Sequence, residues 1–151
     1  MRKPSEDLQE PNWIEIEDFE YICFNLTRKL LTFNEPIPDY STRDRSSLES
    51  SLSAPKNTYF NQEGSSLPDL ASVLFYSIIK NHPFVNGNKR IAVMSVLIFF
   101  AINNKWVNIP PDILYNLAKI VAESSPSLRK HNLKRSADLF NKYLVDYKEA
   151  K

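Results

Sequence analysis

Apolar residues at Ile22, Cys23, Leu26 and Leu30, following Phe19, keep a 3–4 spacing that predicts one buried face of a helix. Pro36-Ile37-Pro38 is expected to close that element, since proline is poorly tolerated in a helix interior. A polar stretch over 39–51 follows, where Ser46-Ser47-Leu48-Glu49 has the Ser-x-x-Glu spacing of a capping box and predicts the start of a short helix. Ser66-Leu67-Pro68-Asp69 has the same form and opens a face of Leu70, Val73, Leu74, Ser77 and Ile78. The clearest stripe is C-terminal, where Leu133, Ala137, Phe140, Leu144 and Tyr147 predict one continuous amphipathic helix. Ile91 to Ile102 differs from all of these, being apolar on nearly every side with only Ser95 interrupting it. A helix hydrophobic all round has to be enclosed, so the pattern predicts an all-α bundle around a buried central helix. Strand signal is sparse: Asn57-Thr58-Tyr59-Phe60, with Gly64 behind it, reads as a small β-hairpin flap.

Composition narrows the class. The 151 residues suit a single domain, 1–151, with residues 1–12 expected to be flexible. A net charge of +1, from 19 basic and 18 acidic residues, excludes a chain-wide attraction for nucleic acid or anionic membrane. The run from Ile91 to Ile102 is too short for a membrane span, which needs about 20 apolar residues, and the polar N-terminus lacks an apolar signal core. A cytoplasmic protein without membrane or nucleic-acid partners is therefore expected. The lone cysteine, Cys23, allows no internal disulfide and no cysteine-built zinc cage, and falls on an apolar face as a small core residue. Glycine is the outlier. Average usage of about 7% would supply about ten, and the chain has two, Gly64 and Gly87.

Gly87 lies in the segment that carries chemistry, Asn81-His82-Pro83-Phe84-Val85-Asn86-Gly87-Asn88-Lys89-Arg90. Pro83 prevents smooth helical continuation through the residues before it, and Gly87 permits a backbone conformation or a close approach that other residues resist. Lys89 and Arg90 then stand in the first turn of the central helix, where the dipole disfavours positive charge. A phosphate bound to the helix N-terminus removes that conflict. His82 supplies a side chain suited to proton transfer near neutral pH.

The string from His82 to Arg90 closely resembles the Fic/Doc signature H-[PX]-F-x-[DE]-[GA]-N-[GK]-R. Leu48 to Pro55, Leu74 to Lys80 and the helix from Ile91 are similar to the same family, so the resemblance spans roughly residues 45–145. It implies a compact Fic/Doc helical bundle with a β-hairpin flap beside the active site. His82 is implied as general base on a Ser, Thr or Tyr hydroxyl of a target protein. Gly87 and Asn88 are implied as the anion hole for nucleotide phosphates, Lys89 and Arg90 as phosphate contacts, and Phe84 as the loop's anchor in the core. Thr58, Tyr59 and Phe60 are implied as the flap that docks a target segment by strand addition. ATP as co-substrate and Mg²⁺ as cofactor follow from the same likeness.

Two positions depart from the pattern. Asn86 stands where the family has its Mg²⁺-binding acid; an amide oxygen still ligates but brings no charge. Val93 stands where AMP-transferring members have a second arginine, and Lys89 replaces the usual glycine. The pattern is thus closer to the Doc branch, which implies a toxin that transfers a phosphoryl group. AMP transfer remains the alternative, as does a degenerate module that binds nucleotide or protein without turnover, because of Asn86. Many Fic proteins also carry an inhibitory [ST]-x-x-x-E-[GN] helix. Tyr59 occupies the hydroxyl position before Glu63-Gly64, so no internal inhibitor is read and a separate antitoxin is expected. His131 is expected as an exposed or capping residue before the last helix, Arg129 to Arg135 as a solvated basic run, and Trp13 and Trp106 as packing residues.

Overall fold

Helix α5 (Asn88–Ile102) is enclosed as its sequence demands, with Ile91 through Leu97, Phe99 and Phe100 buried. The computed structural model describes residues 10–30 and 37–147. Helix α1 (Ile16–Phe19) passes through a π turn at Glu20–Phe24 into α2 (Asn25–Leu30). A 3₁₀ turn at Tyr40–Thr42 leads to α3 (Arg45–Asn61), α4 (Leu67–Asn81) and α5. Strand β1 (Lys105–Val107), α6 (Pro111–Glu123), α7 (Arg129–Lys142) and β2 (Leu144–Asp146) complete the order. Among the described residues the fold is all-α with one small antiparallel sheet, in which Trp106 pairs with Val145. No helix among the described residues is long and apolar enough to cross a membrane.

Helix α4 is buried more completely than its single predicted face. Leu70 through Ile79 are all buried, because α3, α5, α6 and α7 all pack on it. Its start is the predicted capping box: the Ser66 hydroxyl accepts from Asp69 N at 3.1 Å, and Asp69 Oδ2 accepts from Ser66 N at 3.0 Å. The α4–α5 pair is thus the core around which the shorter helices are arranged.

Four expectations are corrected. Thr58, Tyr59 and Phe60 form no flap; they are the last turns of α3, which runs through Pro55 without ending. Tertiary packing overrides β propensity there: Tyr59 is buried edge-on against Trp13, while Thr58 Oγ1 donates back to Ala54 O at 3.0 Å. Gly64 does sit in a turn, with φ +78°, but the turn joins two helices. At the other end of α3, Asp44 is the N-cap, accepting from Ser47 N at 3.1 Å, so the helix begins before Ser46 and is long. The C-terminal stripe is broken: α7 stops at Lys142, Leu144 belongs to β2, and Tyr147 lies beyond it. His131 lies inside α7 and is exposed.

Other expectations meet the structure directly. Cys23 is fully buried, and burial pushes its thiol up to about 12, so it stays protonated and unreactive. Trp13 stacks on Phe99 at 6.1 Å between ring centroids, and Trp106 meets Tyr147 edge-on at 5.8 Å. The flexible stretch expected over 1–12 falls mostly on residues 1–9, outside the described residues, as does Pro36. Asn12 itself is tied down, exchanging hydrogen bonds with the side chain of Asn103 and the carbonyl of Ile102.

Candidate functional site

The loop between α4 and α5 begins with a residue in a conformation that most side chains avoid. His82 caps α4 at φ 54°, ψ 56°, its N–H donating to Ile78 O at 3.2 Å. Glycine is the usual residue at such a left-handed helix end, because a Cβ costs about 1 kcal/mol there. A histidine at this position therefore trades stability for a side chain, and that side chain is exposed to solvent. The loop's far end has the same backbone hand: Gly87 is the N-cap of α5 at φ +80°.

Between those ends the loop is fastened from inside. Asn88, 4% exposed, accepts from Phe84 N at 3.0 Å and donates to Phe84 O at 2.7 Å, so one amide satisfies both main-chain groups of the loop's apex. Phe84 is buried among Phe19, Phe24 and Tyr40, with its ring 5.1 Å from that of Phe24. Burial pushes the Tyr40 phenol upward, and the Arg43 guanidinium stacked 4.2 Å from its ring centre partly offsets this. The neighbouring turn is joined to the loop by the backbone, Asp44 N donating to Pro83 O at 2.8 Å. On the α4 side, Asn81 Nδ2 donates to Ser51 Oγ at 2.9 Å, which ties the helix end to α3.

The start of α5 is left open. Gly87 offers no side-chain cap, so the first N–H groups of α5 lack an intrahelical acceptor and point outward from the helix end. Lys89 is half-buried in that first turn. Arg90 is 2% exposed and runs beneath the loop, with Nη2 3.7 Å from the point where a Gly87 Cβ would stand. That same Cβ would lie 2.6 Å from Ile37 Cδ1, so Gly87 is required both by its φ and by a close approach. Asn86 Oδ1 is buried with no hydrogen-bond partner, an acceptor left unsatisfied beside the open helix end.

Set against expectation, the structure brings His82, Asn86, Gly87, Asn88, Lys89 and Arg90 together on one short loop and its following helical turn. Phe84 anchors that loop in an aromatic cluster. Thr58, Tyr59 and Phe60 belong to another element, and the extended flap is not formed by them. Asn88 departs in detail: its side chain is committed to Phe84, so only its backbone N–H is free to face an anion. Sequence reasoning missed the support around the loop, namely Tyr40, Asp44 and Ser51. Asp44 carried a usable signal as an N-cap residue before a helix; the other two contacts are long-range and had none.

Among the described residues no group of three or more His, Cys, Asp or Glu side chains is placed to hold a metal ion. The unsatisfied oxygen within this loop, Asn86 Oδ1, fits a cation that brings most of its own ligands. Mg²⁺ on nucleotide phosphates needs only one or two protein oxygens. The family model described as the Fic/DOC family matches residues 13–100, from Trp13 through the loop and nearly all of α5. No curated protein and no solved structure gives a significant match.

Proposed function

The chain belongs to the Fic/DOC family, whose members are in general nucleotide-dependent transferases, and from that premise we propose a Doc-like phosphoryl transfer from ATP to a target protein's hydroxyl. The observation that carries the reading is the loop itself: His82 exposed at one end, and an uncapped helix N-terminus with Lys89 at the other. His82 takes the proton of a Ser, Thr or Tyr hydroxyl. The hydroxyl oxygen then bonds to the γ-phosphorus, the β–γ bridging bond breaks, and ADP leaves. Backbone N–H groups of Gly87 and Asn88, with Lys89 and Arg90 behind them, neutralise the phosphates and hold them in line. Asn86 Oδ1 would be the chain's ligand to Mg²⁺, which supplies charge neutralisation on the phosphates. Val93 in place of a second arginine, together with Lys89, favours phosphoryl over AMP transfer.

Asn86 also favours a second reading, a family member that holds nucleotide or protein without turnover, since a neutral oxygen binds Mg²⁺ less tightly than a carboxylate. One experiment separates the readings. The protein is incubated with ATP, Mg²⁺ and a cell lysate, and modified proteins are identified by mass spectrometry. A phosphate-sized increment lost in His82→Ala is the expected result, and an AMP-sized increment would reverse the transfer chemistry. No increment from the chain, with none gained on Asn86→Asp, would leave only the binding reading. As partner we propose a separate antitoxin, because Tyr59 breaks the inhibitory pattern before Glu63-Gly64. Co-purification with the product of the adjacent reading frame, and loss of activity in that complex, is the check.

A further inference from the structure

Helices α6 and α7 both pack on α4, and between them they leave an open groove of about 600 Å³. Its floor is apolar, formed by Leu117 from α6 and Leu139 from α7. Its wall is basic: Lys134, Arg135 and Lys142 line it against one acid, Asp138, which is already paired with Lys134 at 3.2 Å. The charge is concentrated, not typical of the surface. Helix α7 carries five basic residues and one acidic, net +4, in a chain whose total is +1. Two of the five, Arg129 and Lys130, stand in the first turn with no acid beside them, against the helix dipole.

Helix α6, which contributes Leu117 to the groove, also exposes apolar side chains where a solvated helix would be polar. Ile113, Leu117 and Ile120 form one stripe along α6, and the two isoleucines are 46% and 48% exposed. A lone exposed isoleucine needs no explanation, but two on the stripe that feeds an apolar groove do.

We propose that the α6–α7 groove is a docking site for an acidic amphipathic helix of a partner protein. The partner's apolar stripe would lie on Leu117 and Leu139 and continue along the face of α6 to Ile120, outside the groove itself, and its carboxylates would face Lys134, Arg135 and Lys142. The mixed lining selects this occupant. Nucleic acid would leave the apolar floor unused, and a second copy paired through the same face would oppose like net charge. None of the residues that line the groove belongs to the α4–α5 loop, and the proposal does not depend on the transferase reading.

The test uses the whole chain and three fluorescent helix-forming peptides that share one leucine stripe, flanked by Glu, by Gln or by Lys. Binding is followed by anisotropy, and the contact face by amide shifts of labelled protein. The Glu-flanked peptide is expected to bind, to shift α6 and α7 residues, and to lose at least about tenfold in affinity on Lys134→Glu/Arg135→Glu. Ile120→Asp, at an exposed position, should weaken it as well, while circular dichroism stays unchanged in both variants. Failure of the Glu-flanked peptide to bind would overturn the proposal. So would binding that neither variant weakens, or equal binding of the Gln- or Lys-flanked peptide. Self-association of the free protein that Lys134→Glu/Arg135→Glu abolishes would overturn it too, since the groove would then already be filled by a second copy.

Discussion

The chain's two glycines sit in two helix–helix junctions built on opposite principles. Between α3 and α4, Gly64 has φ +78° and no atom near the Cβ it lacks, and the next helix opens on a complete capping box. Between α4 and α5, Gly87 has a similar φ of +80° but is crowded by Ile37, follows a histidine in the left-handed region, and opens a helix with no side-chain cap. The first junction satisfies every local rule. The second breaks several within a few residues: a strained His82, cations at a positive helix end, and an orphaned Asn86 oxygen. Locally inconsistent positions are expected where function outweighs stability. The contrast therefore marks the second junction as the candidate site by backbone and hydrogen-bond criteria, without appeal to any motif.

Substitutions at the two junctions should separate function from stability. The largest effect is expected at His82, where glycine suits the backbone better than histidine does. His82→Gly should cut target labelling by about 10²–10⁴-fold while leaving stability unchanged or raising it by about 1 kcal/mol. Loss of both together in urea melts and labelling assays would mean that His82 is structural. Next, Phe84→Ala removes the loop's anchor and should cost about 3–5 kcal/mol, read as a lower urea midpoint. The glycine pair tests the contrast directly. Gly64→Ala should cost about 1 kcal/mol from backbone strain alone, whereas Gly87→Ala adds the overlap with Ile37 and should cost about 2–3 kcal/mol. Equal losses at the two sites would remove the close approach from the account. An effect as small as that at Gly64 is expected at the same junction's cap: Ser66→Ala should lose about 1 kcal/mol by thermal melting, with labelling per folded molecule unchanged.

What the sequence disclosed follows the range of the interactions involved. Helix α5 was legible because an all-round apolar run has one stable environment, and α4 because its capping box is a four-residue signal. Thr58 to Phe60 misled because β-branched and aromatic residues signal strand only in the absence of a partner, and Trp13, 46 positions upstream of Tyr59, provides one. Leu144 kept the helical spacing of α7, yet it pairs with Val107, which no local window contains. At the site, the position of the loop was legible and its construction was not. Asn88 folds the loop by gripping Phe84, and Arg90 lies beneath it, two facts of burial that residue type alone does not convey.

The β1–β2 ladder carries a consequence for the order of folding. Its strands are three residues each and join Trp106 to Val145 across the whole of α6 and α7. Closing so long a segment for so few hydrogen bonds is entropically unfavourable until the enclosed helices have docked. The contacts among α3, α4 and α5, which build the loop, are between neighbours in sequence and need no such closure. The half that carries the candidate site should therefore assemble first and the ladder last, and amide exchange should find the ladder among the first units to open. The helices that bear the proposed docking groove would then dock before the ladder closes behind them, and the ladder would act as a late clasp, last to form and first to be released.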